Sequence, residues 1–541
     1  MEICKQCLAE FEVSAEDERF LEKLSPKIGG RVFDLPHPTL CPECRQMRRM
    51  AFRNEKNFYK RKCDFSGKSI LTMYSPKKDF KVYDAGIWWG DEWDALDYGR
   101  DYDFSRGFFE QFNELVHTVP RPAVYLKNSV NCDYCNHVEN AKNCYLAVDT
   151  VGEDIYYSDW CLNGRNLVDC CYMYESEFCC ECQFCRRCYD CVYVVDCEDC
   201  RDSRFLYDCR GCSNCFMCVG LRNKQYCFKN RQLSKEEYLE KMGKIDLGSY
   251  EIFKDWRKKF FDEFLSDFPR RYAKIINCEN CVGDVIYFSK NVYRGFNVTE
   301  CEDLRYCHDV FKVKDSMDTY QAAFGCELLY EQHASNHNVR CVACSISYYD
   351  SDCYYCDLVY HCSNCFGCVG LRHREYCIFN KQYSREEYEK LVPKIVEAMR
   401  ERGEWGEFFP MENSYFDYKE SVANLHYPQG LEEVKEGCSG DDFIDNITDA
   451  GDEVCEKVFC CELSGKKFKI IEPELRMYRK LGIALPIRWH GQRYKDRMVL
   501  RNPRKLWKRK CDKCGVDLQS SFAPDRPEKV YCEECYLGEV Y

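Results

Sequence analysis

Eight cysteines stand in pairs at the spacing thiolate metal sites use: Cys4-x2-Cys7 with Cys41-x2-Cys44, and Cys511-x2-Cys514 with Cys532-x2-Cys535. In a zinc ribbon, two tight turns each present a pair of thiolates to one tetrahedral ion, and four such ligands leave no position open for a substrate. The chemistry this predicts is structural: two four-cysteine zinc sites, one near each end, each holding a small lobe with little core of its own. The chain of 541 residues carries 45 cysteines against 10 histidines, so thiolate dominates any metal chemistry.

Each end reads as a tandem of two lobes, of which one has lost its ligands. YKRKCDFSGK from Tyr59 aligns with WKRKCDKCGV from Trp507, which keeps Cys63 and puts Ser66, Asp84 and Ile87 in the remaining ligand places. Conversely, Cys461 aligns with Cys4, while Ser464, Gly491 and Tyr494 fall where Cys7, Cys41 and Cys44 stand. Metal is therefore expected in the first lobe at the N-terminus and in the second lobe at the C-terminus.

Charge is segregated around these lobes. Residues 45–62 carry net +7 and residues 488–510 net +9, which leaves −29 for the rest of a chain whose total is −13. Cations interleaved with aromatic side chains beside a zinc knuckle suit phosphate contacts and base stacking. The candidate nucleic-acid residues are Arg45, Arg48, Arg49, Arg53, Lys60, Arg61 and Lys62, with Arg493, Arg497, Arg501, Lys508, Arg509 and Lys510. RNA or another polyanion is the partner this implies. The competing reading docks the same cations onto the acidic middle of this protein or onto a protein partner.

The middle is organised by a twelve-residue register. From Phe178 the cysteines fall into columns: Cys179, Cys191, Cys215 and Cys227 with Ser203; Cys182 and Cys218 with Val194 and Leu206; Cys185, Cys197 and Cys209 with Leu221; and Cys188, Cys200 and Cys212. Every third position is small or apolar. Neither the 3.6-residue helix nor the two-residue strand period gives that spacing, whereas a tight coil turning a corner every three residues does. The phase returns from Arg340, and NCFGCVGLRHREYCIFNKQYSREEY from Asn364 copies NCFMCVGLRNKQYCFKNRQLSKEEY from Asn214, 150 residues earlier.

The fold class predicted is mainly β with helices: two duplicated short β-solenoids, with twelve-residue coils and inward cysteines, flanked by tandem zinc-ribbon lobes at both ends. The segments are a ribbon region over 1–104, a helix–solenoid–helix copy over 105–250, a second over 251–403, a linker over 404–454, and a second ribbon region over 455–541. Each copy closes with a helix begun by a capping box, at Ser234 and at Ser384.

The coil repeat resembles, in geometry alone, the cysteine-rich β-solenoid of beetle antifreeze proteins; the outward Thr-x-Thr ladder of those proteins is missing, and ice binding is not implied. Taken in order, CPECR, RNE, CDFSGK, WWGDEWD, DFSRGFFEQF, CVGLR, NKQYSREEY and EFFP resemble a group of cysteine-rich zinc-ribbon proteins from uncultured, small-genome bacteria. That resemblance implies zinc ribbons and brings no activity with it.

The register explains the coil cysteines as packed thiols, and the ferredoxin spacing that an iron–sulfur cluster needs fits them poorly. Cys132, Cys135, Cys278 and Cys281, at matching positions in the two copies, are further candidate metal ligands, with nearby solenoid cysteines rather than with each other. No catalytic constellation emerges: His308, His333, His337 and His361 lack ligand spacing beside a nucleophile, and Trp88, Trp89 and Trp93 read as packing of a ribbon lobe on a solenoid. No signal segment or membrane-length apolar run is seen, which predicts a cytoplasmic protein with reduced thiols. The function expected is a non-enzymatic, zinc-binding scaffold contacting RNA or another polyanion. The alternatives are a metal-handling or redox protein that uses the solenoid thiols, and a protein-interaction scaffold without nucleic acid.

Overall fold

The computed structural model describes residues 1–323, 325–429 and 443–540, and it is mainly strands with some helices. The cause lies in the backbone of the cysteine-rich middle. Every third residue there has a left-handed φ: Phe178, Glu181, Phe184, Arg187, Asp190 and Tyr193 fall between 49° and 54°. Left-handed backbone costs an ordinary L-residue roughly 1–2 kcal/mol, and Asn or Asp, which tolerate it best, recur at these positions as Asn143, Asp202 and Asn214. Each such residue turns the chain, and the residue after it, as in Cys179, Cys182, Cys185, Cys188 and Cys191, is buried to within 1%.

Turning every three residues brings the chain back after twelve, where parallel strands pair. Cys179 stands opposite Cys191, Cys191 opposite Ser203, and Leu206 opposite Cys218. In the second copy Cys353 pairs with Cys365 and Cys365 with Cys377. The pairing extends well upstream of the cysteine columns, from Leu126 in one copy and Ile275 in the other. The first copy makes one 12-stranded sheet; the second is divided between an 11-stranded and a four-stranded sheet, and the strand order in each is an open path.

The inward thiols are packing groups with a weak donor. Cys185 donates to the carbonyls of Gln183 and Val194, both at 3.2 Å, and Cys182 to those of Cys180 and Cys191, at 3.3 and 3.4 Å. Ser203 fits the same column because its hydroxyl donates to the Arg201 carbonyl at 2.6 Å and accepts from the Cys215 amide at 3.1 Å. Burial pushes the Cys161, Cys170 and Cys180 thiols well above their ordinary range, so they stay protonated.

Packing crosses the sequence segments reciprocally. Phe108, on the helix Phe108–Thr118 that opens the first copy, meets Tyr355, Phe366 and Phe379 of the second at 5.2–5.6 Å. Phe260, in the helical turn that opens the second copy, lies 5.9 Å from Phe205 of the first, and Trp256 5.1 Å from Phe216. The stretch 404–454, expected to be a linker, is structural in its described parts: Trp405, Phe408, Phe409, Tyr415 and Phe416 are buried in the core of the second copy. Residues 430–442 lie outside the described residues. Both predicted capping boxes form, at Ser234 and Ser384.

One pair of positions requires glycine. Gly152 and Gly283 have φ of 151° and 153°, and a Cβ on either would lie 2.3 Å from the Gly164 carbonyl oxygen or 1.9 Å from that of Gly295. Both sit at a register shift between neighbouring strands. We predict that Gly152→Ala and Gly283→Ala each cost roughly 2 kcal/mol or more in urea unfolding, whereas Gly538→Ala, with open space around it, leaves the midpoint unchanged within error.

Candidate metal centres and the basic helices

Four lobes share one knuckle. Its first cysteine takes the amide of the residue four positions on and gives its own amide to the carbonyl five positions on, at Cys4, Cys63, Cys461 and Cys511 alike. The residue that closes the turn is left-handed in all four: Leu8 at 61°, Gly67 at 70°, Gly465 at 65° and Gly515 at 79°. The turn thus survives where the ligands do not.

In two lobes the knuckle faces a second pair of thiols. The sulfurs of Cys4, Cys7, Cys41 and Cys44 all lie within 4.8 Å of one another, and so do those of Cys511, Cys514, Cys532 and Cys535. Cys7 to Cys41 and Cys514 to Cys532 are 3.7 Å apart, matching the ~3.8 Å that bonds of 2.3 Å to a tetrahedral ion impose. Each set could therefore hold one metal ion. The helix Pro42–Ala51 delivers Cys41 as its N-cap and Cys44 in its first turn, with Pro42 fixing the start. Hydrogen bonding from Cys44 draws the Cys41 thiol down to about 6. Cys511 is also near 6: against burial, the amides of Cys514 and Cys532 favour its thiolate.

The ligand-free lobes replace the ion by packing. Cys63 accepts from the amides of Ser66 and Asp84 at 3.4 and 3.3 Å, and the second bond repeats that from Cys532 to Cys511. In the other lobe the helix His490–Val499 is capped by Trp489. Trp489 therefore stands where Cys41 caps its helix, two residues before the Gly491 that sequence alignment put there. Its ring packs in one cluster with Cys461, Phe459 and Phe468.

Among the described residues no other three ligand atoms come together in this way. Cys132, Cys135, Cys278 and Cys281 are not gathered into a metal-binding group; they lie in the opening turns of the two stacks, and only Cys135 is fully buried. The expected further metal set is corrected accordingly.

The basic stretches fold inward. Arg45, Arg48, Arg49, Arg53, Arg493 and Arg497 are all 7% exposed or less. Arg45 meets Asp318 at 2.7 Å; Arg48 clasps Glu331 at 2.6 Å and Glu407 at 2.8 Å; Arg49 lies between Asp318 and Glu331. At the other end Arg493 meets Asp169 at 2.7 Å and Glu474 at 3.1 Å, and Arg497 meets Asp169 at 2.9 Å and Glu181 at 3.1 Å. The N-terminal helix thus grips the second copy and the C-terminal helix grips the first. Farther along each stretch the grip reverses: Arg53 pairs with Asp149 and Lys56 with Asp159 of the first copy, while Arg504 pairs with Asp309 of the second.

These six arginines are consequently corrected from surface cations to internal clamps, because a buried guanidinium paired with buried carboxylates presents nothing to a phosphate. Burial outweighs Arg53 at Asp149 and pushes its carboxyl up to about 7, and burial likewise raises Glu331 and Glu181. Half-buried Arg501 lies over the rings of Tyr172 and Phe184 at 4.7 and 5.5 Å. Arg61 and Arg509 donate to the carbonyls of Phe80 and Ala523. Lys60, Lys62, Lys508 and Lys510 remain exposed, on the hairpins Tyr59–Lys62/Ser69–Thr72 and Trp507–Lys510/Asp517–Ser520. Of the acidic partners, Asp169, Glu181 and Glu331 were legible as turning positions once the three-residue period was continued, whereas Asp149, Asp309 and Asp318 turn the chain out of that phase, beyond breaks in the register.

Removing one member of a buried ion pair leaves the other charge unpaired, at about 3–5 kcal/mol. Arg497→Met leaves Asp169 with Arg493 but takes the arginine from Glu181, so it is predicted to lower unfolding stability by that amount, and adding Glu181→Gln to recover part of the loss. A cost below about 1 kcal/mol for Arg497→Met would show that the clamp is not formed.

No protein-family model, curated protein or solved structure matches this chain. No helix among the described residues is long and apolar enough to cross a membrane.

Proposed function

We propose that the chain is a non-enzymatic interaction scaffold: two cysteine-cored β-solenoids clasped together by ribbon lobes, of which the first and the last each bind one structural zinc. The observation that carries this reading is the fate of the basic helices, which are used up in holding the two stacks. Four thiolates at tetrahedral spacing suit zinc, which needs no open coordination position and takes no part in redox chemistry. The coil thiols, buried and hydrogen-bonded to carbonyls, support packing over metal storage.

Polyanion contact then falls to the two hairpins. Lys60 and Lys62, and by the same alternation Lys508 and Lys510, project from one face of a short strand, beside a ribbon knuckle in each case. The spacing suits phosphates of a single strand of RNA, and the contact is electrostatic. The test is retention of the full chain on single-stranded RNA at increasing salt, compared with Lys60→Glu, Lys62→Glu, Lys508→Glu and Lys510→Glu combined. The variant is expected to bind more weakly and to lose up to about three units of the log–log salt slope, at about 0.7 per cation. Equal binding and slope in both proteins, or no binding by either, would overturn the RNA contact and leave a scaffold for protein partners alone.

A further inference from the structure

The two copies share a backbone and differ in what one outward column carries. In the first copy the left-handed positions Arg187, Asp199, Gly211 and Asn223 form a polar column, tied by an Arg187–Asp199 ion pair at 2.7 Å. The positions 150 residues on hold His337, Tyr349, His361 and His373. Their rings lie in one continuous stack, with centroids 4.7, 4.8 and 4.8 Å apart and planes within 9°. That spacing is the distance between neighbouring strands, so the register itself superimposes the rings. Polar groups that favour left-handed backbone have here been replaced by aromatic rings at surface positions.

A cavity of about 630 Å³ opens beside this stack, where the N-terminal ribbon lobe meets the second copy. This is within the ~300–1,000 Å³ typical of small-molecule sites. Trp89 lines it edge-on to Tyr360, at 4.7 Å, and its indole N–H has no hydrogen-bond partner among the described residues. Arg372 is fixed at the opening by hydrogen bonds to the carbonyls of Trp89 and Gly90, at 2.7 and 2.8 Å. No carboxylate lies within ion-pair distance of it among the described residues, although Asp91 and Asp94 share the cavity wall; Asp94 is taken by Arg374. Lys127 reaches in from the first copy and lies over Tyr349, 5.8 Å from the ring centroid, with its ammonium 3.4 Å from Glu139 in a solvent-exposed pair that a phosphate can displace. Rings stacked face to face turn their edges outward, and an aromatic edge is its electropositive part. The cavity therefore offers ring edges with their nitrogens, the Trp89 ring, and a guanidinium held over the Trp88 and Trp93 rings, 5.6 Å from each, with no carboxylate in ion-pair contact among the described residues.

We propose that this cavity is a binding site for a nucleoside phosphate, either free or as one unit of a single strand. The base meets the aromatic wall at Trp89 and the His361–His373 stack, and the phosphate meets Arg372 and Lys127. The site is separate from the ribbon hairpins and does not depend on them.

The duplication supplies a control that keeps the fold. His361→Gly with His373→Asn writes in the residues that the first copy carries on the same backbone, and Arg372→Gln removes the cation. Binding of ATP, of a ten-residue adenosine RNA and of inorganic phosphate is measured by calorimetry on the full chain and on both variants, with circular dichroism to check folding. The proposal expects ATP or the RNA to bind the parent chain and each variant to weaken it at least about fivefold. If ATP binds, the source is a free nucleotide; if only the RNA binds, it is a strand. Unchanged affinity in folded variants, no binding of either nucleotide, or inorganic phosphate binding as tightly as they do would each overturn it. RNA binding that is lost in the four-lysine hairpin variant but kept in these two would remove this site and leave the hairpin contact standing.

Discussion

A left-handed residue at every third position is the constraint from which the rest of this protein follows. It turns the chain after each step of three, points the next side chain inward, and returns the strand to its neighbour after twelve residues. Inside, space at such closely spaced turns favours small or apolar groups such as cysteine, serine, valine and leucine, and in the second copy it also takes Gln332, Asn338 and Asp350, which hydrogen-bond along their columns. Outside, the turning residues themselves form columns, and the features that distinguish the molecule hang on them. Asp149, Asp169, Glu181, Asp309, Asp318 and Glu331, which receive the clamping arginines, are all left-handed, as are His337, Tyr349, His361 and His373.

The second organising element is exchange between the copies. Each entry helix packs on the other copy, and each basic stretch grips one copy with its helix and the other just beyond it. Buried ion pairs add little net stability when compared with apolar packing, but they punish misalignment because an unpaired buried charge is costly. Here they fix which lobe sits on which stack. At the N-terminal end the four-cysteine group and the clamp share an element: Cys41 and Cys44 lie at the start of the helix that carries Arg45, Arg48 and Arg49, so an ion held there would order the arginines with the knuckle.

Much of this was legible in the sequence because it repeats. The twelve-residue register, the 150-residue duplication, the two intact four-cysteine sets and the two lapsed ones all rest on spacing, and spacing survives without coordinates. What spacing does not give is the direction in which a side chain points. Arg45 and Lys62 belong to one basic run, yet one is buried against Asp318 and the other is in solvent, because helix and strand turn them to different sides. Trp489 was misplaced by two residues since alignment followed Leu485-Pro486, whereas the helix start at Trp489 sets the true equivalence with Cys41. The stretch 404–429 looked like a linker because its aromatics, Trp405, Phe408 and Phe409, have neither period; they fill gaps between elements instead of forming one. The His–Tyr column is present in the register as well, but twelve-residue spacing reads as a ring stack only when the neighbouring strands are known to lie in parallel register.

The central claim is that sulfur in the coils packs and sulfur at the ends binds metal. Elemental analysis of the chain, purified without oxygen and without added metal, tests it most directly. The account predicts two zinc ions per chain and no iron. Three or more metal ions per chain, or iron in stoichiometric amount, would place metal among the coil thiols and contradict it.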